Sequence, residues 1–343
     1  MKEAQEFRSA SGKRIFALPL EVFPNFWGYA YLLDLEGDRI LIDAGSGLPA
    51  SAEGLEEGLK RLGYRLEDLT YILLTHGHID HFGGIAGLRP RTAARIGIHE
   101  LDWQTVSRHE GRLALLSRRL ETFLAQAGVE SEARRQMLQI YQLTKAFYHS
   151  VEVDFTYEAQ GMSLQALQML HVPGHCPGHV VMRFEDVLFS GDMLLNGNTP
   201  HQAPESIIPS MGIEHYLHSL ERMRPWLQAS RLVLGGHHAP LENPLEVLEH
   251  TRQRLARRLL QVLRTFQSPQ TIAEATLLLY GEKEGYDRLL VLEKMGAYVE
   301  YLYQRGWLEI VNPQEEEKPL KYRTLRSGTE SEVLLEERSY VCV

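Results

Sequence analysis

The feature that most constrains this chain is a short apolar run, Tyr71-Ile72-Leu73-Leu74, that ends directly in Thr75-His76-Gly77-His78-Ile79-Asp80-His81-Phe82-Gly83-Gly84. A run of that length reads as a buried strand, which delivers three imidazoles and a carboxylate into the loop at its C-terminal end. Side chains alternate along an extended segment, so His76 and His78 share one side. Asp80 and His81 come where the chain turns toward a helix and aim at a different point. Neutral imidazole and carboxylate are ligands a borderline divalent cation accepts. One loop can therefore serve two metal ions, provided the rest of the chain supplies the missing partners.

The chain before this loop reads as β-structure. Residues 14–20, 29–35 and 39–43 are strand-length runs rich in aliphatic and aromatic side chains, and Glu36-Gly37-Asp38 links the last two as a hairpin. The third run ends in Asp43-Ala44-Gly45-Ser46-Gly47, a carboxylate followed by a Gly-rich turn. Residues 50–62 carry helical spacing before the 71–74 strand. Strand, helix and strand in alternation predict an α/β layer architecture. Residues 111–149 then show two strong helical patterns, separated at residues 128–131, between stretches that are otherwise β-rich. They read as a helical insertion (about 103–149) whose use is open: a wall over a site, packing, or contact in a homo-oligomer.

Strand patterns return at residues 151–157, 164–172, 180–184 and 187–189, followed by an amphipathic helix over 213–227 and a strand over 231–234. Three of these strands end in further polar loops: Pro173-Gly174-His175-Cys176-Pro177-Gly178-His179, Ser190-Gly191-Asp192, and Gly235-Gly236-His237-His238. The composition shifts near Asn243-Pro244, which divides a domain of residues 1–243 from one of residues 244–343. The helix that follows carries Arg252, Arg254, Arg257, Arg258 and Arg264 and no acid between Thr251 and Arg264. A charge run of this kind is usually a solvated face, with a phosphate-binding role as the minority reading. Two more helices follow, and residues 307–311 and 320–325 can pair across the acidic turn 313–319. Three helices and a hairpin predict a winged-helix-like C-terminal domain.

His76, His78, Asp80, His81, His175, Asp192 and His237 are thus the candidate ligands. Each sits at or just past a strand end beside a glycine, and strand-end loops of an α/β sheet gather on one rim. The order His-x-His-x-Asp-His, Pro-Gly-His, Ser-Gly-Asp, Gly-His resembles the metallo-β-lactamase superfamily of hydrolases over residues 13–240. Asp43 in Ile42-Asp43-Ala44-Gly45 matches that family's first motif. The resemblance implies an αβ/βα sandwich with a metal pair at its rim. His76, His78 and His175 would hold one ion, Asp80, His81 and His237 the second, and Asp192 would bridge them. It also implies the chemistry: a metal-bridging hydroxide, oriented by Asp80 as the catalytic carboxylate, attacking a small thioester, ester or lactone. Zinc is the first expectation for both ions, with manganese or iron as alternatives.

Details within the family point further. Aspartate at position 192, where β-lactamases of the commonest subclass carry cysteine, argues against antibiotic hydrolysis. Residues 172–179 resemble the glyoxalase II branch, with Cys176 in place of a small hydroxyl residue. The C-terminal layout looks more like the branch that includes β-lactamase-like protein 2. A metal-dependent phosphodiesterase or nuclease and a mononuclear iron persulfide dioxygenase are the alternative activities. Asp43, His179, His201 and His238 are expected to buttress the ligands or touch substrate.

Composition narrows the partners. A net charge of −9 over 343 residues argues against a nucleic-acid coat, so a small molecule is the favoured partner and nucleic acid the less favoured one. The apolar runs fall well short of the roughly 20 residues a spanning helix needs, and the polar residues 1–6 do not read as a secretory signal. Two distant cysteines, Cys176 and Cys342, form no disulfide framework. The expectation is a cytoplasmic protein without a membrane partner.

Overall fold

The computed structural model describes residues 2–315 and 318–335. Glu316 and Glu317 of the acidic turn, and Cys342, lie outside the described residues. The chain divides into two compact units. Met1–Ala114, Lys145–Pro200 and His215–Leu248 form the first; Leu115–Thr144, His201–Glu214 and Glu249–Val343 form the second.

The N-terminal part runs β1 (Gln5–Arg8), β2 (Arg14–Phe23), β3 (Phe26–Leu35), β4 (Asp38–Ile42), α1 (Pro49–Arg61), β5 (Tyr71–Leu73), α2 (Ile79–Phe82), α3 (Ile85–Leu88), β6 (Arg95–Ile98) and α4 (Glu100–Ser107). Then come α5 (His109–Gln126), α6 (Ser131–Lys145), β7 (Phe155–Thr156), β8 (Ser163–Leu164), β9 (Leu167–His171), β10 (Val180–Phe184), β11 (Val187–Gly191), α7 (Ile213–Gln228) and β12 (Leu232–Gly235). Strands β1 to β7 form one sheet in sequence order, antiparallel up to β4 and parallel from β4 onward. The second sheet has the order β12-β11-β10-β9-β8, with only β11 and β12 parallel.

Alternation in β2 explains the layers. Ile15 and Ala17 enter a core shared with Met182, Phe189 and Leu234 of the second sheet. Phe16, Leu18, Leu20 and Val22 enter the other core, with Leu55 and Leu59 of α1. Both faces of the first sheet are therefore dry, as a parallel-containing sheet requires, and each fully buried Leu or Phe contributes about 1.5–3 kcal/mol. On the second sheet, α7 buries Tyr216, Leu220, Met223 and Leu227. The Tyr216 hydroxyl donates to the Met193 carbonyl (2.7 Å), tying the helix to the loop after β11. The first unit is thus a mixed α/β sandwich.

Several elements differ from the sequence expectation. Strand β1 is nearly all exposed and polar, an edge strand with no apolar signature. The 151–157 run yields only β7, because Asp154 spends its carboxylate on Arg89 and the Ile96 N–H. The 164–172 run breaks into β8 and β9 at Gln165, whose φ of +51° makes a turn.

In the second unit, α5 and α6 meet at Gly128, whose φ is +87°. The C-terminal part runs α8 (Pro244–Thr265), α9 (Ile272–Tyr280), α10 (Gly285–Gln304), β13 (Leu308–Ile310), β14 (Tyr322–Thr324) and α11 (Glu330–Leu335). Thr271 caps α9 reciprocally with Glu274. Strands β13 and β14 pair antiparallel, Leu308 opposite Thr324. No helix among the described residues is long and apolar enough to cross a membrane.

Candidate metal centre

Five strand ends of the first unit supply the site. Asp43 follows β4, residues 75–81 follow β5, residues 173–179 follow β9, Asp192 follows β11 and His237 follows β12. Asp43 holds a φ of +60°, a left-handed conformation costly for a non-glycine residue. The compensation lies in what that turn lets its carboxylate reach. It accepts the Thr75 N–H (2.7 Å), the Thr75 hydroxyl (2.8 Å) and the His81 Nδ1–H (2.8 Å).

Two ligand groups result, each with its donor atoms within 4.8 Å of one another: His76, His78 and His175, and Asp80, His81, Asp192 and His237. His76 Nε2 lies 3.0 Å from His78 Nδ1. Asp192 Oδ2 lies 3.0 Å from His237 Nε2, 3.5 Å from His81 Nε2 and 3.7 Å from His175 Nε2. Asp80 Oδ2 lies 3.4 Å from His237 Nε2. The structure thus brings all seven candidate ligands together, and the Asp192 carboxylate reaches ring nitrogens of both groups.

Anchoring at the far ring nitrogen sets the tautomers. His81 Nδ1–H is taken by Asp43, and His237 Nδ1–H by the Trp27 carbonyl (2.9 Å). With the Thr75 hydroxyl committed to Asp43, its oxygen accepts from His76 Nδ1–H (3.0 Å). In their neutral forms these three rings carry the lone pair on Nε2, the nitrogen turned toward the ligand groups, the arrangement by which outer hydrogen bonds orient metal-binding histidines.

Charge divides the groups. Burial, then the neighbouring imidazoles, push His76 and His78 well below the ordinary histidine value. Burial acts in the same direction on His81 and His237, but Asp192 and its acidic neighbours outweigh it. His81 is raised well above its ordinary value, and His237 is raised to about 10. Burial would raise Asp80, yet His81 and His237 hold it at about 2.

The residues fit a pair of divalent cations. His81 Nε2 and Asp192 Oδ1 are buried and have no hydrogen-bond partner among the described residues, an arrangement that costs stability unless something else binds there. Gly236 keeps the space open, since a Cβ there would stand 2.1 Å from Asp192 Oδ1. Nitrogen and carboxylate oxygen are the donors that zinc, manganese and iron accept.

A family model described as the metallo-beta-lactamase superfamily matches residues 27–257. The chain belongs to this superfamily. It is 25% identical over 232 residues to the probable metallo-hydrolase YqjP of Bacillus subtilis (strain 168), covering 63% of this chain and 69% of that protein. It is 29% identical over 247 residues to an N-acyl homoserine lactonase of a Bacillus species, covering 64% of this chain and 84% of that one. Among solved structures, a metallo-beta-lactamase family protein from Thermus thermophilus superposes with a TM-score of 0.73 at 25% identity, covering 90% of this chain and 98% of that one. Superfamily membership and hydrolase relatives support a metal-dependent hydrolase.

Around the candidate ligands stand supports of several kinds. His179 accepts the Asp192 N–H at Nε2 (3.1 Å) and stacks on His76, with ring centres 4.6 Å apart. His238 is exposed and, with His237, lines a cleft of about 410 Å³. His201 belongs to the second unit, where Nε2 lies 3.0 Å from Glu293, and it joins neither ligand group. Asp102 of α4 was not legible in the sequence as a site residue. Fully buried, it accepts the Gly77 N–H (2.8 Å) and the Cys176 thiol (3.2 Å), joining the loops that carry His76 and His175. The only local signal was its place in the first turn of a helix beginning at His99. Phe26 was missed too. Its ring centre lies 4.5 Å from that of His237.

Proposed function

We propose that this chain is a dinuclear metal-dependent hydrolase of a small acyl substrate, a thioester, ester or lactone. The observation that carries the reading is that two ligand groups meet at one carboxylate, Asp192. His76, His78 and His175 would hold one ion, Asp80, His81 and His237 the other, and Asp192 both. When bound, such a pair supplies Lewis acidity and brings the pKa of a water it shares toward about 7. Zinc is the ion proposed, with manganese or iron as alternatives.

The chain's own residues do the rest. Asp80 turns Oδ2 toward His237 and His81. In this reading its other oxygen, Oδ1, accepts a hydrogen bond from the attacking water and orients it toward the acyl carbon. Asp43 and Thr75 hold His81 and His76 by Nδ1, so that Nε2 is the nitrogen each ring would offer an ion. The cleft beside His237 is walled by Phe26, Trp27 and Tyr29 and has a volume within the range of small-ligand sites. Phe26 is 46% exposed and stacks with Phe23, forming an apolar shelf for an acyl chain. The lactonase relatives act on an acylated small molecule by name, which agrees with that wall chemistry.

Two finer readings accompany this. Helices α8 to α10 followed by the β13–β14 pair support a winged-helix-like domain over residues 244–343, beside a catalytic domain over 1–243. Together with residues 172–179 they support a place near glyoxalase II and β-lactamase-like protein 2. A cytoplasmic location completes the proposal.

The test is a panel of acyl thioesters, aryl esters and acyl lactones, assayed on purified protein before and after chelation. Turnover of at least one class, lost on chelation and restored by zinc or manganese, is expected. Turnover indifferent to chelation, or turnover of phosphodiesters alone, would overturn the reading.

A further inference from the structure

The arginines of α8 do not all face solvent. Arg257 and Arg264 are exposed, whereas Arg254 and Arg258, four residues apart and hence on one face, are half-buried. Lys294 of α10 is half-buried as well, although long cationic side chains rarely leave water without a partner. The Arg258 guanidinium sits over the ring of Tyr280, the last residue of α9, 5.1 Å from its centre. Arg254 Nη1 and the Tyr280 hydroxyl are buried atoms with no hydrogen-bond partner among the described residues. No carboxylate among those residues forms an ion pair with Arg254, Arg258 or Lys294, and Glu293, the acid next to Lys294 in sequence, is turned to His201.

This arrangement is costly as pure structure. Burial, then the charges of Arg258 and Arg254, push the Lys294 ammonium below its ordinary value. Three cations within electrostatic reach of one another, with no ion-paired carboxylate among the described residues, repel, and a buried donor left unmade forfeits its hydration. A site of this composition is completed by a ligand that brings several acceptor oxygens and more than one negative charge. We propose that Arg254, Arg258, Lys294 and Tyr280 form a binding site for the phosphate group of a small molecule. The forked guanidinium donors suit phosphate oxygens, and the phenol hydroxyl supplies one more donor. A small ligand is favoured over nucleic acid because the cations are recessed, not displayed along an exposed stripe. The chain as a whole is also acidic, with a net charge of −9. The site lies wholly in the second unit and does not depend on the hydrolase reading.

Calorimetric titration of the 343-residue chain with inorganic phosphate, AMP and ADP tests this, with polyuridylate as the nucleic-acid arm. Saturable binding of at least one of the three small anions is expected. Arg258→Gln should weaken it about tenfold or more, while Arg257→Gln, the same charge change on the exposed face, leaves it unaltered. Phosphate alone should act if the group is recognised by itself; a response to the nucleotides only would place further contacts beside it. Lys294→Met should raise the melting temperature in phosphate-free buffer and abolish the rise that phosphate produces in the unmodified chain. This separates a ligand site from a structural one even if an arginine variant fails to fold. No saturable binding at millimolar anion, equal weakening by Arg257→Gln, or binding of polyuridylate without the small anions would each overturn the proposal.

Discussion

His76, His78 and His81 grow from the same loop, yet the first two rings and the third stand in opposite proton states. Burial, then the neighbouring imidazoles, drive His76 and His78 to the neutral form, already the form that binds a cation. His81 and His237 face Asp192 and Asp80, whose charges hold protons on the rings. One group is ready for an ion; the other must exchange protons for it. Two residues of sequence, from His78 to Asp80, separate these behaviours, because the chain leaves the strand and starts α2 between them.

The sharpest way to break the comparison is to remove what the groups share. Asp192→Asn should cost more than the 10–100-fold typical of losing an outer support. Elemental analysis of that variant should find the carboxylate-bearing group depleted and the histidine trio still occupied. Equal loss from both would mean the groups are not separable.

Next in size is Asp43→Asn. Its carboxylate reaches His81 directly and His76 through Thr75, so metal affinity should fall about 10–100-fold in both groups. A deficit confined to one would show that Thr75 orients His76 without Asp43.

Acidity should separate the groups without mutation. His237 in the metal-free protein is raised to about 10, so at neutral pH an ion must displace its proton. Affinity of that group therefore rises with pH up to that value and falls as pH drops, by up to tenfold per unit for each proton released. The lowered rings of His76 and His78 carry no proton near neutrality, so the affinity of their group should change much less from about pH 8 to pH 6. Metal content after dialysis across that range should lose one equivalent first, and simultaneous loss of both would contradict the assignment.

The smallest effect concerns the cleft wall. Phe26→Ala should raise KM for substrates with an acyl chain about fivefold, as expected from losing part of one apolar contact. Metal content and kcat should hold, and a fall in metal content would instead make Phe26 a brace for His237.

What was legible in the sequence follows from this physics. The seven candidate ligands were readable because each sits at the end of an apolar run next to a glycine, a signal carried by adjacent residues. Asp102 and Thr75 were not, since they act through contacts that exist only once separate loops have met. Strand β1 escaped because an edge strand with exposed side chains has no apolar period. The helical patterns over 111–149 were legible as helices. That Leu115–Thr144 gathers with Glu249–Val343 depends on tertiary contacts such as the Ala273 N–H to the Ala127 carbonyl (2.8 Å), which local spacing does not encode.

Metal stoichiometry measured alongside acyl hydrolysis tests whether two ions act together across Asp192. Titrating zinc into metal-free protein should leave turnover low through the first equivalent and raise it with the second, saturating at two per chain. Full activity at one equivalent per chain, or activity that persists with none, would contradict the account.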